Sequence, residues 1–265
     1  RLFRSLGVEG VFSRVIQATR GITAGSGFAT TELRVLLHKM MLLIRAKWGD
    51  KLRSKLYVDD LSLSAVGHGL TLALLQAEVS DFVVLYFEIS LKMIVSTKKS
   101  VVLSSSLRLA ELAALKMKVK KLRPVRSAKL LGTGVVGGRR RTTKVFQGRL
   151  KAFKQYAHRF HRLRAAGTST LGMVRAIAPP SVLYGVETMG LASTALYNTR
   201  TAFARAGAPQ AGGKNPDAVL YLLDGTNGTL DAAFEAHTAP VKHWALAWWD
   251  NWFHEEILEM AFQGA

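Results

Sequence analysis

The chain contains no cysteine. That absence excludes a disulfide scaffold, a cysteine-ligated zinc site and a thiol nucleophile, and it leaves the redox compartment unreadable. Long apolar runs are missing as well. None approaches ~20 residues, so no transmembrane helix and no membrane partner are expected. There is no initiating methionine: the first residue is Arg1, and no signal-peptide pattern follows it. A fragment, a processed product or a trimmed chain is therefore expected, with an intracellular location, nuclear or cytoplasmic. Acid is scarce in one place above all, because residues 108–175 hold a single acidic side chain, Glu111.

What is present is a 265-residue globular composition, 49% hydrophobic, with a net charge of +19. Such a balance calls for a polyanion: nucleic acid, an anionic membrane surface or an acidic protein. The charge is unevenly spread. Residues 1–107 carry 14 basic and eight acidic side chains, residues 108–175 carry 19 and one, and residues 176–265 carry four and nine. A solvated helical face normally mixes both signs. The middle segment does not, and its self-repulsion is easiest to offset with phosphates.

Periodicity predicts a short helix within 8–20 and a Gly- and Thr-rich loop over 21–30. A helix follows over 31–47, capped by Thr30 or Thr31, with Leu33, Leu36, Leu37, Met40, Met41 and Ile44 on one side. Alternation over 54–66 predicts a β-hairpin with Asp59 and Asp60 at its tip. Beyond it come an apolar helix over 70–87, strands at 91–96 and 100–105, a helix over 107–121 and a Gly-bearing hairpin over 128–136. A long basic helix over 142–166 is expected to turn Phe146, Leu150, Phe153, Tyr156 and Phe160 to a packed face. Pro179–Pro180 should interrupt the pattern, 181–206 should be mostly helical, 207–216 a linker, and 238–262 one aromatic helix. Short strands among helices, then helices alone, make the fold class α+β.

Tyr57–Val58–Asp59–Asp60 is the sharpest chemical feature. Adjacent carboxylates at a hairpin tip repel each other unless a cation lies near them. Oxygen-only ligation suits Mg²⁺ or Mn²⁺, which organise phosphates for in-line attack. An ordinary Asp-Asp turn would give the same string.

Three further blocks accompany it in order: Arg20–Gly21–Ile22 with Gly25; Leu91, Ile94, Ser96 and Lys99–Ser100 leading into Val101–Val102–Leu103; and Lys129–Leu130–Leu131–Gly132. The set, spanning roughly 14–205, resembles the reverse transcriptases of non-LTR retroelements (retrotransposons). The resemblance implies RNA-directed DNA polymerase chemistry, a metal-dependent nucleotidyltransferase reaction on an RNA template. It makes Asp59 a catalytic metal ligand with Asp60 in support, and places Tyr57 near the primer end. Arg20, Gly21 and Gly25 become the template-and-nucleotide-positioning loop, and Lys99 the proton donor to departing pyrophosphate. The block at 129–132 resembles the primer-grip hairpin. Leu183–Tyr184–Gly185–Val186–Glu187 and the basic helix resemble a thumb, with Arg139, Arg140, Arg141, Lys144, Arg149, Lys151, Lys154, Arg159, Arg162 and Arg164 as nucleic-acid contacts. The implied organisation is a partial palm over 1–125, a primer-grip hairpin and thumb-like region over 126–206, and an acidic, Trp-rich helical region over 207–265. The implied partners are an RNA template, an RNA/DNA duplex, a dNTP once the site is completed, and an upstream polypeptide or protein partner.

The pattern also departs from the family. Ala24 replaces the usual Gln, Ala29–Thr30 replaces Ser-Pro, and no Asp precedes Asp50. Two neighbouring Asp residues cannot alone build a two-metal site, so the isolated chain is expected not to polymerise. The rival expectation is a non-catalytic nucleic-acid-binding protein derived from that fold, held in a ribonucleoprotein. Gly132–Thr133–Gly134–Val135–Val136–Gly137 fits a dinucleotide fingerprint but is followed by Arg139–Arg140–Arg141 rather than an acid-bearing βαβ unit, so a hairpin is expected. His158 and His161 lack a carboxylate neighbour and are expected at the surface. The Trp244–Trp248–Trp249–Trp252 cluster is expected in a core or at a partner-docking face.

Overall fold

The structure is a computed structural model and describes residues 2–4, 7–18, 27–138, 141–208, 215–224 and 228–264. The protein is α+β, largely helical, with five two-stranded sheets among the described residues. It divides into two compact units, Arg1–Arg126 and Ser127–Ala265.

The first unit begins with a nested hairpin rather than the short helix expected over 8–20. Strand β1 (Leu2–Arg4) pairs with β4 (Ile16–Ala18), and β2 (Gly7–Val8) with β3 (Val11–Phe12). Glu9 (φ 49°) and Gly10 (φ 83°) are both left-handed, a conformation that ends a right-handed helix. The β-branched Val8, Val11, Val15 and Ile16 favour strands instead.

Helix α1 (Ala29–Trp48) buries Leu37, Met40, Ile44 and Trp48 at helical spacing. Leu36, expected on that side, is exposed, because it sits a sixth-to-third of a turn off the stripe. The cap is Phe28, whose carbonyl accepts from Glu32 N–H at 2.8 Å, rather than Thr30 or Thr31. The expected acidic hairpin forms as β5 (Arg53–Tyr57) and β6 (Asp60–Ser64), antiparallel, with Leu56 opposite Leu61. Leu56, Leu61 and Leu63 pack against the core made by α1 and the next helix, α2 (Gly69–Leu85).

Helix α2 is apolar nearly all round because it serves two cores. Val79 and Val83 face α1. Ala73 and Ala77 face α3 (Leu107–Lys116), Val102 and Met117. With the π-turn Tyr86–Ser90 it makes a 22-residue helix long and apolar enough to cross a membrane, contrary to the expectation from apolar runs; a third of the window that qualifies is buried in the fold. Its acids are engaged. Glu78 pairs with Lys47 at 2.9 Å, and Glu88 pairs with Lys120. The Asp81 carboxylate accepts the backbone N–H groups of Lys118 and Val119 at 2.8 and 3.0 Å.

Those contacts explain two departures from periodicity. Asp81 draws the backbone beyond Lys116 out of helical geometry, so α3 stops five residues before 121. Glu88 also accepts Val95 N–H at 3.4 Å, holding 91–96 as a loop instead of the expected strand. Strand β7 (Val101–Leu103) then pairs in parallel with β8 (Arg123–Val125) across α3.

The second unit opens with the hairpin β9 (Ser127–Leu130) and β10 (Thr133–Val136). Leu131 (φ 47°) and Gly132 (φ 88°) form its two-residue turn, the left-handed pair that matches strand twist. Helix α4 (Lys144–Ala165) follows, then α5 (Leu171–Leu183), α6 (Val186–Met189), α7 (Ser193–Gly207), α8 (Pro216–Asp224), α9 (Ala232–Trp249) and α10 (Glu255–Gly264). One core joins Phe146, Leu150, Phe153 and Phe160 of α4 to Val174, Phe203, Leu220 and Ala239. Tyr156, expected on the packed face, is exposed. Pro179 and Pro180 lie inside α5 rather than interrupting it. Val174, Ala178, Val182 and Leu183 are buried on either side of them, and tertiary packing overrides the lost hydrogen bonds. The single helix expected over 238–262 is broken at Asn251 (φ 49°). Residues 209–214 of the expected linker lie outside the described residues, and α8, not foreseen, begins at Pro216.

Candidate functional site

The acidic hairpin has two unlike faces. Cross-strand partners share a face, so Leu56, Leu61 and Leu63 turn inward, while Lys55, Tyr57, Asp60 and Ser62 lie on the opposite side. Tyr57 pairs with Asp60, leaving Val58 and Asp59 as a two-residue turn. Tyr57, Val58, Asp59 and Asp60 are all exposed. Val58 is held at φ 55°. A β-branched residue there is a genuine outlier, and strain of this kind marks sites where the backbone is over-determined by its surroundings.

Lys99 ends the turn Thr97–Lys99, where its N–H donates to Ser96 O at 3.2 Å. No ion pair joins it to Asp59 or Asp60. Among the described residues no group of three or more His, Asp or Glu could hold a metal ion. The donor set at the hairpin is two neighbouring exposed carboxylates, oxygen ligands of the type hard divalent cations take, and it is not a cage for two ions. Arg20, Gly21, Gly25, Arg139 and Arg140 lie outside the described residues.

Helix α4 carries no acidic residue. Its buried stripe fixes the direction of everything else on it. Lys144, Lys151, Lys154 and Arg162 fall on the side away from the core, with His158 among them. All five are exposed, as are Arg159 and His161. At 1.5 Å per residue the row from Lys144 to Arg162 is about 27 Å long. None of its Lys or Arg side chains forms an ion pair with a described residue. Arg159 lies 4.6 Å from the Tyr156 ring centroid.

Four arginines of the basic segment instead serve the fold; one, Arg175, donates to Leu223 O and lies 3.9 Å from the Asp224 carboxylate. The Arg149 guanidinium donates to Tyr184 O and Gly132 O, and stands 5.0 Å from the Tyr184 ring centroid. Tyr184 Oη donates to Leu131 O at 3.1 Å. The β9–β10 turn is thereby locked to the α5–α6 turn. A Cβ on Gly185 (φ 86°) would lie 2.5 Å from Thr133 Cγ2, so only glycine fits that approach. Arg164 donates to Gly207 O at 2.7 Å and to Ala206 O, and burial lowers its pKa. Arg141 donates to Met189 O at 2.9 Å.

Ion pairs elsewhere in this unit were not foreseen from sequence. Arg200 bonds both oxygens of Asp231 at 2.8 and 2.7 Å and also pairs with Asp217. Its pKa is raised, first by the Asp231 hydrogen bonds. Burial pushes Asp231 upward, but Arg200 and the Ala233 N–H outweigh it, and its pKa is lowered. The buried Asp224 accepts Leu230 N–H and Asp231 N–H at 2.8 and 3.0 Å. No spacing rule announces such pairs, since 31 residues separate Arg200 from Asp231.

No family model, curated protein or solved structure matches the chain.

Proposed function

We propose that this chain carries the catalytic hairpin and a thumb-like region of a retroelement-type reverse transcriptase. The observation that supports this most is the strained, exposed Val58 turn, which presents Asp59 and Asp60 at the end of a hairpin packed on two helices. In this reading Asp59 and Asp60 would hold Mg²⁺ or Mn²⁺, which would supply charge stabilisation at the phosphates of a bound dNTP. Lys99 would donate a proton from Nζ to departing pyrophosphate. Tyr57, beside Asp60 on the open face of the hairpin, would lie near the primer end. The α4 row would take phosphates of an RNA/DNA duplex.

A second reading has its own support. The described residues hold only two neighbouring carboxylates at the hairpin, whereas the α4 row is long and unpaired. That combination suits a non-catalytic nucleic-acid-binding protein of the same descent.

One experiment separates the two. The chain is titrated with an RNA template annealed to a DNA primer, and dNTP retention on that complex is measured in Mg²⁺. On the first reading Asp59→Ala lowers dNTP retention at least about tenfold, while duplex affinity is unchanged. A silent Asp59→Ala leaves the binding reading. Loss of duplex affinity in neither Lys151→Glu nor Lys154→Glu would overturn both. The chain alone is expected not to extend the primer, and robust Mg²⁺-dependent extension would refute that expectation.

A further inference from the structure

The C-terminal end of the second unit exposes an acidic, aromatic surface that the proposed reaction does not use. Trp249, at the end of α9, is 85% exposed, and Trp252 is 51% exposed. Asp250, Glu255, Glu256 and Glu259 lie in the same stretch of chain, all exposed, and none forms an ion pair with a described residue. The break between α9 and α10 opens a cavity of about 440 Å³ lined by Trp252, Glu255 and Ile257, among others. Glu255, Glu256 and Glu259 follow one another at helical spacing and share one side of α10.

The same unit therefore holds two sets of unpaired charge of opposite sign, this surface and the α4 row. The fold pairs charges readily where it can, as Arg200 does with Asp217 and Asp231. It does not pair these two sets with each other. Each set is open to a partner of opposite sign from outside the copy that carries it. A second copy of the chain supplies one complement of opposite sign, because it brings its own α4. Lys and Arg side chains also stack favourably over exposed indole rings.

We propose that the Trp249–Glu259 surface of one copy docks on the α4 cations of a second copy. The contact is head-to-tail, so copies add to one another into a ring or an open chain. Nucleic acid competes for the same cations; that clause alone rests on the function proposed above.

Sedimentation velocity on the full chain tests the docking. Concentration-dependent association is expected at about 50 mM salt, weakened at least about tenfold at about 500 mM, where screening reaches only a few ångströms. Two variants are made: Glu255→Lys with Glu256→Lys and Glu259→Lys, and Lys151→Glu with Lys154→Glu and Arg162→Glu. Each alone should sediment as a monomer at low salt, and an equimolar mixture should associate again. Restoration on mixing cannot come from misfolded protein, so it carries the proposal even if one variant is destabilised. A chain that stays monomeric at low salt overturns it, as does association that survives both reversals. Capture of an arginine-rich peptide by the acidic surface, without self-association, reassigns that surface to a basic partner and overturns it too. Association that an added RNA/DNA duplex fails to disperse supports the docking and removes nucleic acid from α4.

Discussion

Arg149 separates a structural arginine from a phosphate-binding one. Its guanidinium bonds two backbone carbonyls, Tyr184 O and Gly132 O, and stacks near the Tyr184 ring. A net hydrogen bond from a charged donor contributes about 1.5–3 kcal/mol when buried, and a partly exposed cation–π contact about 0.5–1 kcal/mol. The side chain is half-buried, so the lower ends apply, and Arg149→Ala should cost roughly 2–4 kcal/mol. Arg149→Lys keeps the charge but loses the planar fork, so it should recover less than half of that, about 1 kcal/mol. With a urea slope of about 2 kcal/mol/M, Arg149→Ala moves the unfolding midpoint by roughly 1–2 M. Tryptophan fluorescence reports the right unit, because four of the five tryptophans, Trp244, Trp248, Trp249 and Trp252, lie in it. Duplex affinity at concentrations where the variant is folded should change little. An Arg149→Lys variant with the parental midpoint, or an Arg149→Ala variant that is stable but loses duplex affinity, would refute the lock.

Three other expectations follow from the geometry. Val58→Gly should stabilise the β5–β6 ladder by about 1 kcal/mol, since glycine takes a positive φ without steric cost at the first position of a hairpin turn and Val58 is not buried, as read by amide hydrogen exchange. The Arg200–Asp231 pair should show in acid unfolding: Asp231 has its pKa lowered from the ordinary 3.8, so its contribution is whole above that value. It disappears as the pH falls from 3.8 through the lower folded value, and Asp231→Asn should flatten that limb of the stability curve. If Lys144, Lys151, Lys154, Arg159 and Arg162 each meet one phosphate, log affinity against log salt should have a slope of about −4.5, and Lys151→Ala should reduce its magnitude by about 0.9.

The periodic elements were legible in the sequence because one face decides them. The hairpin over 54–66 follows from strict alternation, and α1 and α4 from apolar spacing. The β9–β10 turn follows from Gly132. Where the reading failed, a distant contact or a packed neighbourhood had overruled the local pattern. Asp81 ended α3 from 37 residues away, and Glu88 kept 91–96 out of a sheet. Buried flanks carried α5 through Pro179 and Pro180. At the hairpin, sequence placed Asp59 and Asp60 at the tip but could not reveal that Val58 would be the strained residue, because φ is set by the register of Tyr57 with Asp60. The α4 row was legible as charge, though not which of its members would be free.

That last distinction changes what the basic segment is. Arg149 and Arg164 each spend their fork on two backbone carbonyls at a chain turn, where planar, paired donors fit and an ammonium would not, while Arg141 donates once, to Met189 O. Desolvation lowers the Arg164 pKa, yet a guanidinium stays protonated at any physiological pH, so its charge remains in the unit without being available to a ligand. Lys144, Lys151 and Lys154 are left on flexible stems along one side of α4, able to follow a phosphate backbone without fixed geometry. The segment thus couples two tasks through residue type: arginines hold the β9–β10 turn, α6 and the α7 end against α4, and lysines, with Arg159 and Arg162, form the open row. Replacing the arginines by lysine would keep the net charge of the segment and lower the unfolding midpoint. Duplex affinity of the folded protein should change little, because the buried stripe of α4 still sets the direction of the row.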